Sequence, residues 1–199
     1  MLVAAAHGRF PPADGRVDVV RPDAHGTHAI VEFTGHAVVL TDRSPDDAVF
    51  SGVDAFGAIV QPAVVTALAG DRSIGSHDVV MVRRGRGGGE ALPVTDRYDD
   101  HPRARRAREH RRDVVIHGDD RGLVTIGRGL VDRIELSVEV VNTERSSGVG
   151  PQLIAGGLVN VGADELVWAQ VAPGNAASLR AFLTCGFVPV AAEVLLTTT

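Results

Sequence analysis

Lysine is absent from this chain of 199 residues; all twenty of its basic side chains are arginine. We read that first as base-composition bias of the genome and only second as chemistry. A single cysteine, Cys185, excludes an internal disulfide and fits a reducing cytoplasm. Aromatic residues make up only 4% against 44% hydrophobic, so Val, Leu, Ile and Ala must build the core. Charge or glycine interrupts every apolar run well short of the roughly 18 residues of a membrane span. The N-terminal MLVAAAHGRF has no basic region before its apolar start, so it does not read as a secretory signal. A net charge of −5 argues against a general nucleic-acid binder, because phosphate neutralisation needs a basic surface.

What is present is unevenly spread. Residues 1–26 are rich in Pro, Gly, Asp and His and read as an irregular arm with one short strand at Val17–Val20. Residues 29–84 read as a β-α-β unit. AIVEFTGHAVVLT is one long strand or a hairpin broken near Gly35, and HDVVMVRR (77–84) is a strand. Between them the spacing predicts a helix of about 10–12 residues with Pro62 in its first turn and Gly70 as its stop. GRGGG (85–89) is a linker that could also bind RNA; one short copy without aromatics reads as a loop.

The second half is more ordered in pattern. HPRARRAREHRR (101–112) is a charged helix candidate, followed by strands at 113–118, 122–129 and 133–141, with a hairpin turn at Asp119–Gly122. Leu153, Ile154, Gly157, Leu158 and Val161 have helical spacing, ELVWAQV (165–171) is a buried strand, and Asn175 opens a second helix that ends at Gly186. Short strands finish the chain. The order β-β-β-α-β-α-β predicts an α/β (α+β) fold: a mixed sheet with helices on its faces. We expect an N-terminal β-α-β extension or degenerate half-domain over 1–98 and a core over 99–199.

The chemistry concentrates in two places. Arg145-Ser146-Ser147-Gly148-Val149-Gly150 stands between a strand and a helix, where a glycine-rich turn offers backbone N–H groups and the positive end of a helix dipole to an anion such as pyrophosphate. Pro151 preforms the first turn and Arg145 adds a fixed charge at the rim. Taken alone, a G-x-G turn is more often merely a turn. About thirty residues on, Asn175-Ala-Ala-Ser178-Leu-Arg-Ala-Phe182-Leu-Thr-Cys-Gly186-Phe187 begins with an Asn able to cap its helix or to contact an amide-bearing ligand.

Together, R-x-x-G-x-G after the strand ELSVEV (135–140) and the later N-x-x-S-x-x-x-F-x-x-x-G-F resemble the acyl-CoA site of the GNAT superfamily of N-acyltransferases, over about the C-terminal 90 residues. The resemblance implies a GNAT-type mixed, mostly antiparallel sheet flanked by helices. It also implies transfer of an acetyl group from acetyl-CoA, as co-substrate, to a primary amine, with no metal. On it, the backbone of Val138, Glu139 and Val140 pairs with the pantetheine arm, and a bulge there splays this strand from Leu166–Val171. The N–H groups of Ser146, Ser147, Gly148, Val149 and Gly150 hold the pyrophosphate, with Arg145 beside them and Asn175 and Ser178 at the base of the slot. Glu135 is the candidate base and Glu139, on the same strand face, the fallback; both also read as solvated strand residues. Relatives often place a tyrosine seven residues after the Asn as general acid; here that position is Phe182, which has no proton to give. The family reading allows a homodimer, a small-molecule or peptide amine as acceptor, and neither nucleic acid nor membrane as partner. A non-catalytic acyl-CoA sensor is the rival reading.

Other candidates weigh less. His25 and His28 lack a third metal ligand at useful spacing. His117 could face an acceptor pocket but reads more readily as a satisfied core or surface histidine. Cys185 reads as buried filler. Arginines fall all round the helix at 103–112, so it reads as a solvated element, with the 3′-phosphate of CoA, an acidic substrate or DNA as sharper alternatives.

Overall fold

A computed structural model gives the fold, and it describes residues 1–141 and 148–198. The chain divides into two compact units, Met1–Val80 with Val190–Thr199, and Met81–Pro189. The division falls inside two strands, β4 (Ser73–Arg84) and β9 (Val188–Thr197).

In the first unit, helix α1 (Leu2–Ala6) precedes β1 (Val17–Val20), β2 (His28–Phe33) and β3 (His36–Leu40). The segment around Gly35 resolves as a hairpin, with Phe33 opposite His36, and β1 runs parallel to β3. The sheet order is β1-β3-β2-β9-β4. Helix α2 (Pro62–Ala69) carries Pro62 at its start and ends at Gly70, as its punctuation predicts; it is shorter than expected because Ala58–Val60 forms a separate 3₁₀ turn. Val65, Leu68 and Ala69 of α2 pack on Ile30, Val39, Val194 and Leu196. His36 is buried between Asp14 (2.9 Å) and Asp18 (3.3 Å), and His28 between Arg72 and Asp42. His28 is thus a member of a structural network. Among the described residues, no three His, Cys, Asp or Glu side chains cluster as a metal site.

The second unit holds α3 (Pro102–His110), β5 (Arg112–Asp119), β6 (Gly122–Arg128), β7 (Ile134–Val140), α4 (Val149–Val159), β8 (Leu166–Val171) and α5 (Ala176–Thr184). Strands β5, β6 and β7 form an antiparallel meander and β8 joins β7 in parallel. Parallel pairs at β1/β3 and β7/β8 stand among antiparallel ones at β2/β3, β2/β9, β5/β6 and β6/β7, so the strands are mixed and mostly antiparallel, with helices on their faces, as the element order predicts. The segment after the GRGGG linker is tied to β5. Thr95 N–H donates to Ile116 O, Gly118 N–H to Pro93 O, and the Tyr98 hydroxyl to Asp119 O at 2.6 Å.

Strand alternation sorts the β7 side chains. Leu136 faces α4, where Gly157 brings the helix so close that an added Cβ would meet Val124 and Leu136. Glu135, Ser137 and Glu139 face the other way, towards α3. That helix is not a freely solvated element: Ala104 is buried with Tyr98, Ile116 and Leu123, Ala107 three residues on is also buried, and Arg103 and the C-capping Arg111 reach Glu139 and Glu135 of β7. Among the described residues, no helix is long and apolar enough to cross a membrane.

Candidate functional site

Strands β7 and β8 start as a parallel pair and then part. Among the described residues their shared register consists of Ile134 with Val167 and Glu135 with Trp168, although β7 continues to Val140 and β8 to Val171. On its other edge β7 stays laddered to β6, with Val138 opposite Val124, Glu139 opposite Leu123 and Val140 opposite Gly122. A strand pinned along one edge and released from its neighbour along the other suits an extended, amide-bearing ligand that adds as a strand. The expected splay at Val138–Val140 is therefore present, without a bulge in the β6–β7 register.

Past β7 lies the glycine turn. Arg145, Ser146 and Ser147 lie outside the described residues. Gly148 caps α4 with φ +79°, a conformation that costs a side-chain-bearing residue about 1 kcal/mol or more. Val149, Gly150 and Pro151 form the first turn, at the end of the helix where backbone N–H groups lack intrahelical partners and the dipole is positive. Gly150 sits beside Ala181 of α5 and Val140 of β7. The turn, the end of β7 and α5 thus come together.

Asn175 caps α5: its Oδ1 accepts from Ser178 N–H at 3.1 Å. Asn175→Ala should cost about 1 kcal/mol, whereas Asn175→Ser retains a capping oxygen. Calorimetry with acetyl-CoA then separates the roles: a ligand contact lowers affinity in both variants, and a pure cap leaves the Ser variant at wild-type affinity. Phe182 is buried, edge-on to Phe187 with ring centroids 4.9 Å apart. Cys185 is buried, its thiol pushed up by burial and its Sγ donating to Pro151 O at 3.3 Å, which ties α5 to the start of α4.

Where β7 and β8 part sits a charged cluster that sequence reasoning missed. Glu135 is only 2% exposed. Its Oε1 accepts from Arg133 Nε and Gln170 Nε2, both at 2.8 Å, and its Oε2 from Arg111 Nε at 2.7 Å. Arg111 also reaches Thr125, Ser137 and Gln170, while the Arg133 guanidinium lies 5.7 Å from the Trp168 ring centroid. Burial pushes the Glu135 carboxyl up, but the guanidinium groups of Arg133 and Arg111 outweigh it and hold Glu135 below its ordinary value. An ionised carboxylate whose oxygens already accept three charge-assisted or amide bonds is a weak proton acceptor. Glu135 is thus an anchor for two arginines, which tells against its candidacy as base. Glu139, the fallback, is bound by Arg103 at 3.0 Å.

The backbone around this cluster is distorted. Asp113 (φ +51°) bulges the β5–β6 register, and Val131 (φ +49°) and Asp132 (φ +63°) lie in the turn that delivers Arg133. A left-handed β-branched residue such as Val131 is strained, and bulges of this kind re-aim side chains. Here the bulge immediately follows Arg111.

His110, the residue before Arg111, is half-buried at the end of α3. Burial and the charge of Arg106 hold its imidazole below the ordinary 6.5; Arg111 adds to this, while Glu109 and Glu135 oppose it. His117 is buried on the opposite face, where its Nδ1 meets Leu92 O at 3.1 Å and Asn160, so it is a satisfied core histidine.

No protein-family model matches the sequence, and no curated protein matches it. Solved structures do. A GCN5-related N-acetyltransferase from Kribbella flavida is 14% identical with a TM-score of 0.43, the match covering 69% of this chain and 63% of that one. An acetyltransferase of the GNAT family from Colwellia psychrerythraea is 9% identical with a TM-score of 0.41, covering 67% of this chain and 61% of that one. The match spans less than two thirds of either structure's length.

Proposed function

We propose that this chain is an acyl-CoA-dependent N-acyltransferase of GNAT type, transferring an acetyl group from acetyl-CoA to a primary amine. The observation that carries the reading is the parting of β7 and β8 after Glu135 and Trp168, with a glycine-capped helix following one strand and an Asn-capped helix following the other. Extended backbone at Val138–Val140 receives the pantetheine amides, and the first turn of α4 receives the pyrophosphate. The thioester then lies near the fork, beside the Glu135 cluster. The acceptor is a small-molecule or peptide amine.

Phe182 favours a second reading, a non-catalytic acyl-CoA sensor, since a phenyl ring buried against Phe187 gives no proton to a leaving thiolate. Positioned acids and bases contribute about 10²–10⁴-fold, so this loss slows turnover without abolishing it. Calorimetry with acetyl-CoA, run beside thiol release in the presence of spermidine, an aminoglycoside, and peptides with a free lysine or a free N-terminus, tests both readings. Saturable binding with amine-dependent release supports the transferase. Binding with no release leaves the sensor, and absence of binding removes both.

A further inference from the structure

If the fork of β7 and β8 receives a thioester, the acceptor amine needs a base, and Glu135 is committed to its arginines. Helical geometry points to another group. Residues seven apart on an α-helix lie almost two full turns apart and on the same side. Arg103 and His110 are so related in α3, and the Arg103 guanidinium reaches Glu139 on β7 at 3.0 Å. The flank of α3 that carries both side chains therefore faces β7. One residue after His110, Arg111 bonds Glu135, so the His110 end of the helix lies over the start of β7, where the pairing with β8 ends.

From this placement, and resting on the acyltransferase reading above, we infer that His110 is the general base that takes the proton from the acceptor amine. Among the described residues its ring makes no hydrogen bond or ion pair, and it is half-buried, neither sealed in the core nor fully in solvent. The titratable and charged groups acting on it are Arg106, Glu109, Arg111 and Glu135, and the balance with burial keeps the ring neutral at neutral pH, the form a base requires. Glu135 then acts as a positioning residue. It fixes Arg111 and the end of α3 through a buried ion pair, and so fixes the imidazole next to it.

The step balances as follows. The imidazole accepts one proton from the substrate ammonium. The freed amine nitrogen attacks the thioester carbonyl carbon and forms the C–N bond. The tetrahedral adduct loses its second N–H proton to solvent, and the C–S bond breaks with its electron pair leaving on sulfur. The imidazolium returns its proton to the thiolate as the thiol departs. His110 thus serves as acid as well as base, which supplies the proton that Phe182 lacks.

The test uses the full chain, acetyl-CoA, and the amine in the panel above that gives the fastest thiol release. His110→Ala and His110→Gln should bind acetyl-CoA as the wild type does while thiol release falls about 10²-fold or more. The wild-type pH–rate profile should fall on the acid side as the ring protonates, below the ordinary histidine range, and that limb should vanish in both variants. Added imidazole should restore release to His110→Ala, an effect that a merely structural histidine does not give. Wild-type release rates in both variants, or an acid limb that survives in them, overturns the assignment while leaving the acyltransferase reading intact. Failure of the wild type itself to bind acetyl-CoA or to release thiol overturns that reading, and His110 with it.

Discussion

Replacing Glu135 with alanine should destabilise the protein by about 3–5 kcal/mol, the cost of leaving a buried charge without its partner. The side chain is 2% exposed and bonds Arg111, Arg133 and Gln170, so the variant strands two guanidinium groups against one face of β7. Guanidinium groups do not escape by deprotonating at accessible pH. The unfolding constant should therefore rise by roughly 10²-fold to a few 10³-fold at neutral pH, where each 1.4 kcal/mol is tenfold. Urea unfolding followed by tryptophan fluorescence measures this well, because the chain's single tryptophan, Trp168, is buried in the same cluster. A loss under about 1 kcal/mol, the value of an exposed pair, would show that the arginines are solvated and the cluster does not exist as described.

Acid gives the same argument a sign. Glu135 in the folded state is held below its ordinary value near 4.5, so its stabilising contribution is full above that value. It is lost as pH falls further and the folded carboxylate takes up a proton. The stability gap between wild type and Glu135→Gln should accordingly be widest near neutral pH and should close in acid. A consequence for the site follows: low activity in Glu135→Ala cannot identify a base, because the same substitution loosens Arg111 and the end of α3. Activity measured on His110 variants avoids that confusion.

The meander and crossover were legible because their punctuation is local. Asp119–Gly122 turns a hairpin, Gly148 and Asn175 cap helices, and the apolar spacing of Leu153, Ile154 and Leu158 fixes a buried face. The pairing of the last strand with β2 was not legible, since nothing local marks which edge residues 190–197 join. The inward role of α3 was obscured by its composition. Its packing face is two alanines, and a hydrophobicity pattern hardly registers them among arginines. A spacing signal was nevertheless there. Arg103 and Arg111, eight residues apart on a helix, are separated by about 12 Å. Glu139 and Glu135, four residues apart on a strand, are separated by about 13 Å. The two spacings match only if α3 runs antiparallel along β7, as it does. Once Glu135 is accounted for by that match, it stops being the natural base, and the last residue of the same helix takes its place.

Gly129→Ala should be nearly as damaging as the loss of Glu135, for a reason invisible in any contact that glycine makes. Gly129 ends the β6 arm of the turn, and a Cβ built on it would overlap the Glu135 carboxylate carbon and both oxygens. A flexible side chain would swing aside at little cost. This carboxylate is held by Arg111, Arg133 and Gln170 at 2.7–2.8 Å, and any retreat breaks those bonds. Overpacking alone costs about 1–3 kcal/mol, and disrupting the ion pairs brings the expected loss to about 3 kcal/mol or more. The double variant decides whether that mechanism is right. With Glu135 already alanine, the space next to Gly129 is empty, so adding Gly129→Ala should cost little beyond the Glu135→Ala loss. The two changes should then show a coupling energy at the upper end of the roughly 0.5–3 kcal/mol seen between residues in contact. Additive losses would mean that Gly129 is required for its own backbone conformation and not for the carboxylate beside it. Coupling of the expected size would place the carboxylate against that glycine in solution, and with it the two arginines and the end of α3 on which His110 depends.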